Sequence, residues 1–185
     1  PTAVVGSHAD AIRRIRLLGE AGARVTLFCA APAAELVQAC EAIGASRVGR
    51  QPAESDLQTM RLVYYVDRDP AFARELRRWA ERHGFLLCAN DVPQACDFFM
   101  PAIVRRGDLT IAVGTNGASP ALAARLRAQI EAIFDERVER FVERLRSSRS
   151  EPRGAAGAAE RCERLRAAVE AVELSGTLRL PEEPR

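Results

Sequence analysis

Residues 3–11 read AVVGSHADA: an apolar run reaches a glycine, and a short polar turn opens directly into helix-forming residues. A strand feeding a glycine turn at the head of a helix is the setting of a dinucleotide-binding loop, written G-x-G-x-x-G or G-x-G-x-x-A. The first glycine makes the tight turn, the second lets backbone N–H groups approach a pyrophosphate, and the helix dipole favours its charge. Here the register is Gly6, Ser7, His8, Ala9, Asp10, Ala11. The first glycine and the closing small residue are present, and His8 stands where the middle glycine belongs. Gly6, Ser7, His8, Ala9 and Asp10 are therefore the candidate nucleotide-loop residues, with an imidazole where phosphate would lie.

Strands and helices alternate from this loop to about residue 90. DAIRRIRLLGEAG (10–22) reads as a helix with Ile12, Ile15 and Leu18 on one face and Gly22 after its end. RVTLF (24–28) reads as a strand. PAAELVQACEAIG (32–44) is a helix with Pro32 near its start and Gly44 at its end. RLVYYV (61–66) is a third strand. DPAFARELRRWAERHG (69–84) is a helix capped by Asp69, with Pro70 in first position, a stripe of Phe72, Leu76 and Trp79, and Gly84 as its stop. His83 in its last turn complements the helix dipole. FLLC (85–88) is another strand. Alternation at these lengths predicts a parallel sheet covered on both faces, a Rossmann-like domain over 1–90.

The pattern then changes. ANDVPQACDFFMPAIVRRG (89–107) has two prolines and no clean helical period, and DLTIAVG (108–114) is a strand. ASPALAARLRAQIEAIFDERVERFVERLR (118–146) reads as one long helix with Ser119 as cap and Pro120 in its first turn. Leu122, Leu126, Ile130, Ile133, Phe134, Val138, Phe141 and Leu145 line one side of it at spacings of three and four. Such a stripe requires a covering surface, either its own sheet or a second copy of the chain. SSRSEPRGAAGAAE (147–160) has linker composition, RCERLRAAVEAVEL (161–174) is a last amphipathic helix, and SGTLRLPEEPR (175–185) reads as a loose tail. The fold class expected is α/β: the Rossmann-like domain 1–90, a small α+β domain over 91–146, and a linker with a C-terminal helix over 147–185.

Composition narrows the function. The hydrophobic fraction is 48% and no run is long and apolar enough for a membrane span, so a soluble, cytoplasmic protein is expected. The chain starts at Pro1, almost inside a strand, which suggests that sequence precedes it. A net charge of +2 argues against a nucleic-acid binder. All 27 basic residues are arginine, whose fork pairs with carboxylates bidentately. The five cysteines, Cys29, Cys40, Cys88, Cys96 and Cys162, form no C-x-x-C pair, so neither a disulfide framework nor a metal site is expected.

Two stretches carry a resemblance: VVGSHADAIRRIRLLGEAGARVTL (4–27) and CANDVPQACDFFMPAIVRRGDLTIAVGTNGASPALAARLR (88–127). Together they resemble the family of precorrin-2 dehydrogenases and sirohydrochlorin ferrochelatases, including the N-terminal half of bifunctional siroheme synthases, over about residues 3–146. The family pattern is R-x-x-x-L-L-x-x-G-A-x-V-T, then N-V-V-D-x-P, F-x-x-P-A-I-x-R and S-[ST]-G-G-x-S-P. The resemblance implies a homodimeric enzyme of siroheme or cobalamin synthesis acting on a tetrapyrrole. It implies NAD as hydride acceptor for precorrin-2 oxidation and ferrous iron as a substrate for insertion. The family's catalytic aspartate falls on Asp91, whose carboxylate would take protons from the macrocycle. The S-[ST]-G-G-x-S-P loop falls on Thr115, Asn116, Gly117, Ala118 and Ser119, which with Arg105 become the candidate substrate residues. Arg106, Arg125 and Arg127 join Arg105 as candidate partners for tetrapyrrole carboxylates. Thr115 aligns with a serine phosphorylated in some relatives.

The cofactor side departs from the family. The strand after the first helix ends in LFCAAP, so Ala30 and Ala31 occupy the ribose positions with no acid to hold the hydroxyls. The family's A-T-D-D-P is VDRDP here: Asp67, also a candidate cofactor residue, replaces the threonine, and Arg68 replaces an acid. Gly114 and Asn116 replace a serine and a glycine in the later loop. The leading reading is a siroheme-pathway enzyme with Asp91 as base. The alternative is an NAD-independent tetrapyrrole-binding relative, a chelatase alone or a haem- or metal-binding carrier or regulator. A ligand-sensing module signalling through its dimer is a third.

Overall fold

The computed structural model describes residues 1–150 and 158–176; residues 151–157 of the expected linker and 177–185 of the expected tail lie outside the described residues. The first part of the chain runs β1 (Thr2–Val5), α1 (Asp10–Glu20), β2 (Val25–Phe28), α2 (Ala34–Ala42), β3 (Ser46–Val48), α3 (Glu54–Leu57), β4 (Leu62–Tyr65), α4 (Pro70–His83) and β5 (Leu86–Ala89). The five strands form one sheet in the order β3-β2-β1-β4-β5, and each neighbouring pair is parallel. This is the α/β Rossmann-like domain that the alternation predicts. The sequence reading passes over β3 and α3: three and four residues are too short for either period to register.

Strand alternation divides the core. Ala3, Val5, Val63, Tyr65, Leu87 and Ala89 face Leu57, Ala73, Leu76 and Ala80 from α3 and α4. Val4, Leu27, Tyr64 and Val66 face Ala11, Ile15, Leu18 and Leu36 from α1 and α2. β1 is buried on both faces, so its four residues can be read as a continuous apolar run. Order reverses on either side of β1, and ligands of such sheets bind at the carboxyl ends of the strands beside that switch. The loop carrying Gly6, Ser7 and His8 leaves β1 there, and the loop carrying Asp67 and Arg68 leaves β4 beside it.

α4 is built as its sequence signals suggest. The Asp69 carboxylate accepts from Ala71 N at 2.8 Å, Pro70 opens the helix, and Gly84 ends it at φ 74°. His83 gains a specific partner: its Nε2 lies 2.8 Å from Glu54 Oε1, the same oxygen that accepts from Arg82 at 2.5 Å. The bond from His83, then that from Arg82, holds the Glu54 carboxyl below its ordinary range.

Two compact units divide the chain: Pro1–Ala102 with Gly114–Ala123, and Ile103–Val113 with the chain from Ala124 onward. β6 (Ala102–Arg106) and β7 (Leu109–Val113) form a separate two-stranded antiparallel sheet, joined by a turn in which Gly107 adopts φ 56°. β6 lies within the stretch read from sequence as irregular. The remaining elements are α5 (Pro120–Ile133), α6 (Glu136–Ser150) and α7 (Ala158–Glu170).

The single long helix expected over 118–146 is thus two helices. Asp135 starts the second one, accepting from Arg137 N at 2.9 Å. Arg106 secures the end of the first, donating from Nε to Phe134 O at 2.7 Å and from its guanidinium to Glu131 O at 3.3 Å. Both caps are long-range or side-chain choices that an unbroken apolar period conceals. No residue of the stripe is buried: Leu122 and Ile133 are 45% and 51% exposed, and the others are half-buried.

A carboxyl held below its unfolded value contributes stability above that value and loses it as pH falls through the folded one. Glu54→Gln should therefore lower the melting temperature relative to the parent at neutral pH, with the gap closing as pH falls below the ordinary glutamate range and Glu54 protonates. Thermal melts of the two proteins across that range check this, and a gap that is constant with pH would refute it.

Candidate functional site

The loop after β1 is closed by an acid from the loop after β4. Asp67 Oδ1 accepts from Ser7 N at 2.8 Å and from His8 N at 3.0 Å. Gly6 makes this approach possible. Its φ is +118°, and a Cβ there would lie 2.5 Å from Asp67 Cγ. His8 turns back on the helix it precedes, its Nδ1 lying 3.2 Å from both the backbone N and the carboxylate Oδ2 of Asp10. Asp10 Oδ2 also accepts from Asn90 Nδ2 at 3.0 Å, which ties the first turn of α1 to the end of β5. Ala30 and Ala31 are exposed after β2 and bring no polar side chain.

Asp91 sits one residue beyond Asn90, with φ 57°. Asp and Asn tolerate this left-handed conformation better than most residues. The segment that follows is clamped to the free edge of β5. Leu87 N donates to Asp97 Oδ2 at 2.8 Å, Asp97 N donates to Leu87 O at 2.8 Å, and Ala89 N donates to Cys96 Sγ at 3.2 Å. Arg77 from α4 anchors Asp97 at 2.5 Å. Those bonds satisfy an edge that would otherwise be open. They also fix the 3₁₀ turn at Pro93–Ala95 and, before it, the exposed carboxylate of Asp91. Arg68 Nε reaches Asp91 Oδ2 at 2.8 Å. Asp91 lines an open recess of about 870 Å³ with Arg74, Arg77, Arg78, Glu81 and Gln94. Arg74 and Arg78 were not singled out in the sequence, although their i, i+4 spacing outside the α4 stripe places them on one exposed face.

In the later loop, Asn116 and Gly117 take φ of 51° and 81°, and Gly117 packs against the Phe99 ring. Two of the loop's hydroxyls serve the entry into α5. Thr115 Oγ1 accepts from Ser119 N at 3.1 Å, and Ser119 Oγ accepts from Leu122 N at 3.2 Å. Ala118 is exposed, and its N donates to Thr115 O at 2.9 Å. Arg105 is exposed on β6. Arg106 and Arg127 both engage Glu131. Among the described residues no group of three His, Cys, Asp or Glu side chains is placed to hold a metal ion. Nor, among them, is any helix long and apolar enough to cross a membrane.

Residues 1–102 match the family model described as putative NAD(P)-binding, and residues 106–133 match that of the sirohaem biosynthesis protein central region. The chain belongs to the siroheme synthase N-terminal-like family. It is 35% identical over 161 residues to the siroheme synthase of Methylococcus capsulatus, covering 83% of this chain and 34% of that protein. The corresponding protein of Nitrosococcus oceani is 31% identical over 147 residues, covering 78% of this chain and 31% of its own. The chain thus spans about a third of the length of the curated relatives it matches. A solved structure named as the precorrin-2 dehydrogenase SirC shares the fold, with a TM-score of 0.77 at 23% identity over 92% of this chain and 84% of that one.

Membership of an NAD(P)-binding family raises the question of fit, and the arrangement of the loop fits poorly. The N–H groups of Ser7 and His8, which a pyrophosphate would use, are both given to Asp67.

The tight packing of Gly6 is itself testable. Gly6→Ala places a methyl group against the Asp67 carboxylate in a left-handed conformation, and should destabilise the protein by about 1–3 kcal/mol in urea unfolding. A change below about 0.5 kcal/mol would mean that Asp67 moves aside freely.

Proposed function

We propose that this chain is a tetrapyrrole-modifying part of siroheme biosynthesis, acting on precorrin-2 or sirohydrochlorin with Asp91 as the proton acceptor. The observation that carries the reading is the Asp91 carboxylate itself. It is exposed at φ 57°, held by a loop clamped to the sheet edge, and set at the lip of a recess that also contains Arg74, Arg77 and Arg78. Arg68 orients the carboxylate from one side. The guanidinium groups of Arg74 and Arg78 suit the carboxylates around a precorrin-type macrocycle, Arg77 being engaged by Asp97 and Glu81. The segment 91–146 is proposed as the tetrapyrrole-site and dimerisation region, with Arg105 and the loop Thr115–Ser119 as further substrate contacts.

Both reactions of the siroheme pathway need a base at this place. Oxidation of precorrin-2, which needs a hydride acceptor that the loop after β1 accommodates poorly, would release a proton from the macrocycle. Insertion of ferrous iron displaces the pyrrole protons from the nitrogens that bind the metal. In either case Asp91 accepts a proton through a carboxylate oxygen, and the ferrous ion is a substrate rather than a resident cofactor. The engagement of Asp67 with the nucleotide loop favours the second reading, in which the chain works without NAD, as a chelatase or a tetrapyrrole carrier. A reducing, cytoplasmic location belongs to the same proposal, from the scattered spacing of the five cysteines in the sequence.

Asp91→Asn keeps shape and tolerates the same backbone conformation but cannot accept the proton. Iron insertion into sirohydrochlorin, and precorrin-2 oxidation with NAD where the parent shows it, should fall about 10²–10⁴-fold with the melting temperature unchanged. A folded variant working at parental speed would overturn the assignment.

A homodimer is proposed from the half-exposed stripe on α5 and α6, because an apolar face of this length implies a covering partner. Sedimentation equilibrium at micromolar concentration should give a dimer. Ile133→Glu should shift it toward monomer, and a monomeric parent would exclude the proposal.

A further inference from the structure

We infer that Asp67 is an internal anion occupying the pyrophosphate cradle of this chain, so that a dinucleotide binds only when the Asp67 side chain leaves. The inference rests on the family's nucleotide-site reading of the loop, and is independent of what Asp91 does. Backbone donors decide it. In the stretch from Gly6 to Ile12, Gly6 N is used by Phe28 O at 2.9 Å, within the strand-to-loop connection. Ser7 N and His8 N are used by Asp67 Oδ1 at 2.8 and 3.0 Å. Asp10 N lies 3.2 Å from His8 Nδ1, and Ala11 N and Ile12 N donate to His8 O and Ala9 O at 2.8 and 3.2 Å. Five of the donors at this helix N-terminus, Ser7, His8, Asp10, Ala11 and Ile12 N, are thus taken up by groups of the chain, and the group on the first two is itself an anion.

The placement of Asp67 is fixed from behind. Val66 N donates to Val5 O at 2.9 Å, which joins the end of β4 to the end of β1, and Asp69 N donates to Tyr65 Oη at 3.2 Å. Asp67 follows directly and its carboxylate lies against Gly6, where even a methyl group would meet Cγ at 2.5 Å. A phosphate oxygen bound to the same two N–H groups would need the position of Oδ1. It would also meet the second oxygen of a like-charged carboxylate. Because the carboxylate is tethered, it competes at the effective concentration its backbone sets rather than as a free ion. Asp67 therefore acts against dinucleotide binding, in contrast to a residue that holds the ribose. A threonine, the residue of the resembling family's motif at this position, would bring no charge to these two donors.

The test is calorimetric titration of NAD into the parent chain and into Asp67→Ser, Asp67→Thr and Asp67→Asn, each first shown to melt cooperatively. Inorganic pyrophosphate is a second probe that reads the cradle without the nucleoside contacts. Ser and Thr should bind both probes at least tenfold tighter than the parent. Asn should gain less, since it keeps an acceptor at the same place without the charge. If Ser or Thr fails to fold, Asn decides alone, because it preserves the shape. Equal or weaker binding in every folded variant overturns the inference and makes Asp67 a cofactor ligand or a bystander. Tightening by His8→Gly with none in the Asp67 variants also overturns it, assigning the obstruction to the imidazole. Sirohydrochlorin titrated into the parent and followed by its absorbance reports on the tetrapyrrole reading separately, so the two can fail independently.

Discussion

Burial of β1 on both faces of the sheet, with Ala3 and Val5 against one helical layer and Val4 against the other, constrains nearly everything around it. A central strand with no solvated face must exchange its backbone hydrogen bonds with β2 and β4 in fixed register. That register brings the carboxyl ends of β1 and β4 side by side, and the loops leaving them emerge at one place. Gly6 and Asp67 meet because Val5 pairs with Tyr65.

The same constraint organises Asp91. β5 extends the sheet on its β4 side, and its outer edge would offer unpaired N–H and C=O groups to solvent. Asp97 and Cys96 supply the missing partners, and Arg77 fastens Asp97 to α4. The loop between is short, so Asp91 is forced into a left-handed turn and its side chain is carried out toward Arg68. A structural need, covering a sheet edge, thus positions the carboxylate on which the proposed chemistry depends.

Charge at the two loops follows from two substitutions against the resembling family. Arg68 stands in place of an acid and pairs with Asp91; Asp67 stands in place of a threonine and pairs with backbone donors. The first gives the proposed proton acceptor a charged neighbour; the second satisfies the donors of the loop after β1 from within.

Most of the fold is legible in the sequence, because its signals are local and repeated. The alternation of apolar strands and amphipathic helices to residue 90, Asp69 and Pro70 opening α4, and Gly84 closing it all rest on neighbouring residues. The motif around Asp91 and the loop Thr115–Ser119 are equally local, and identify the family. Three things required the tertiary structure. At the break between α5 and α6 the local cap Asp135 is joined by Arg106, which reaches Phe134 O from a strand distant in sequence. The short β3 becomes a strand only by pairing with β2. The partner of the nucleotide loop is sixty residues away from Ser7 in the chain. His8 draws attention in the sequence because it breaks a glycine pattern, yet Asp67 takes the donors, because parallel pairing of β1 with β4 places its carboxylate against a glycine that leaves room for it.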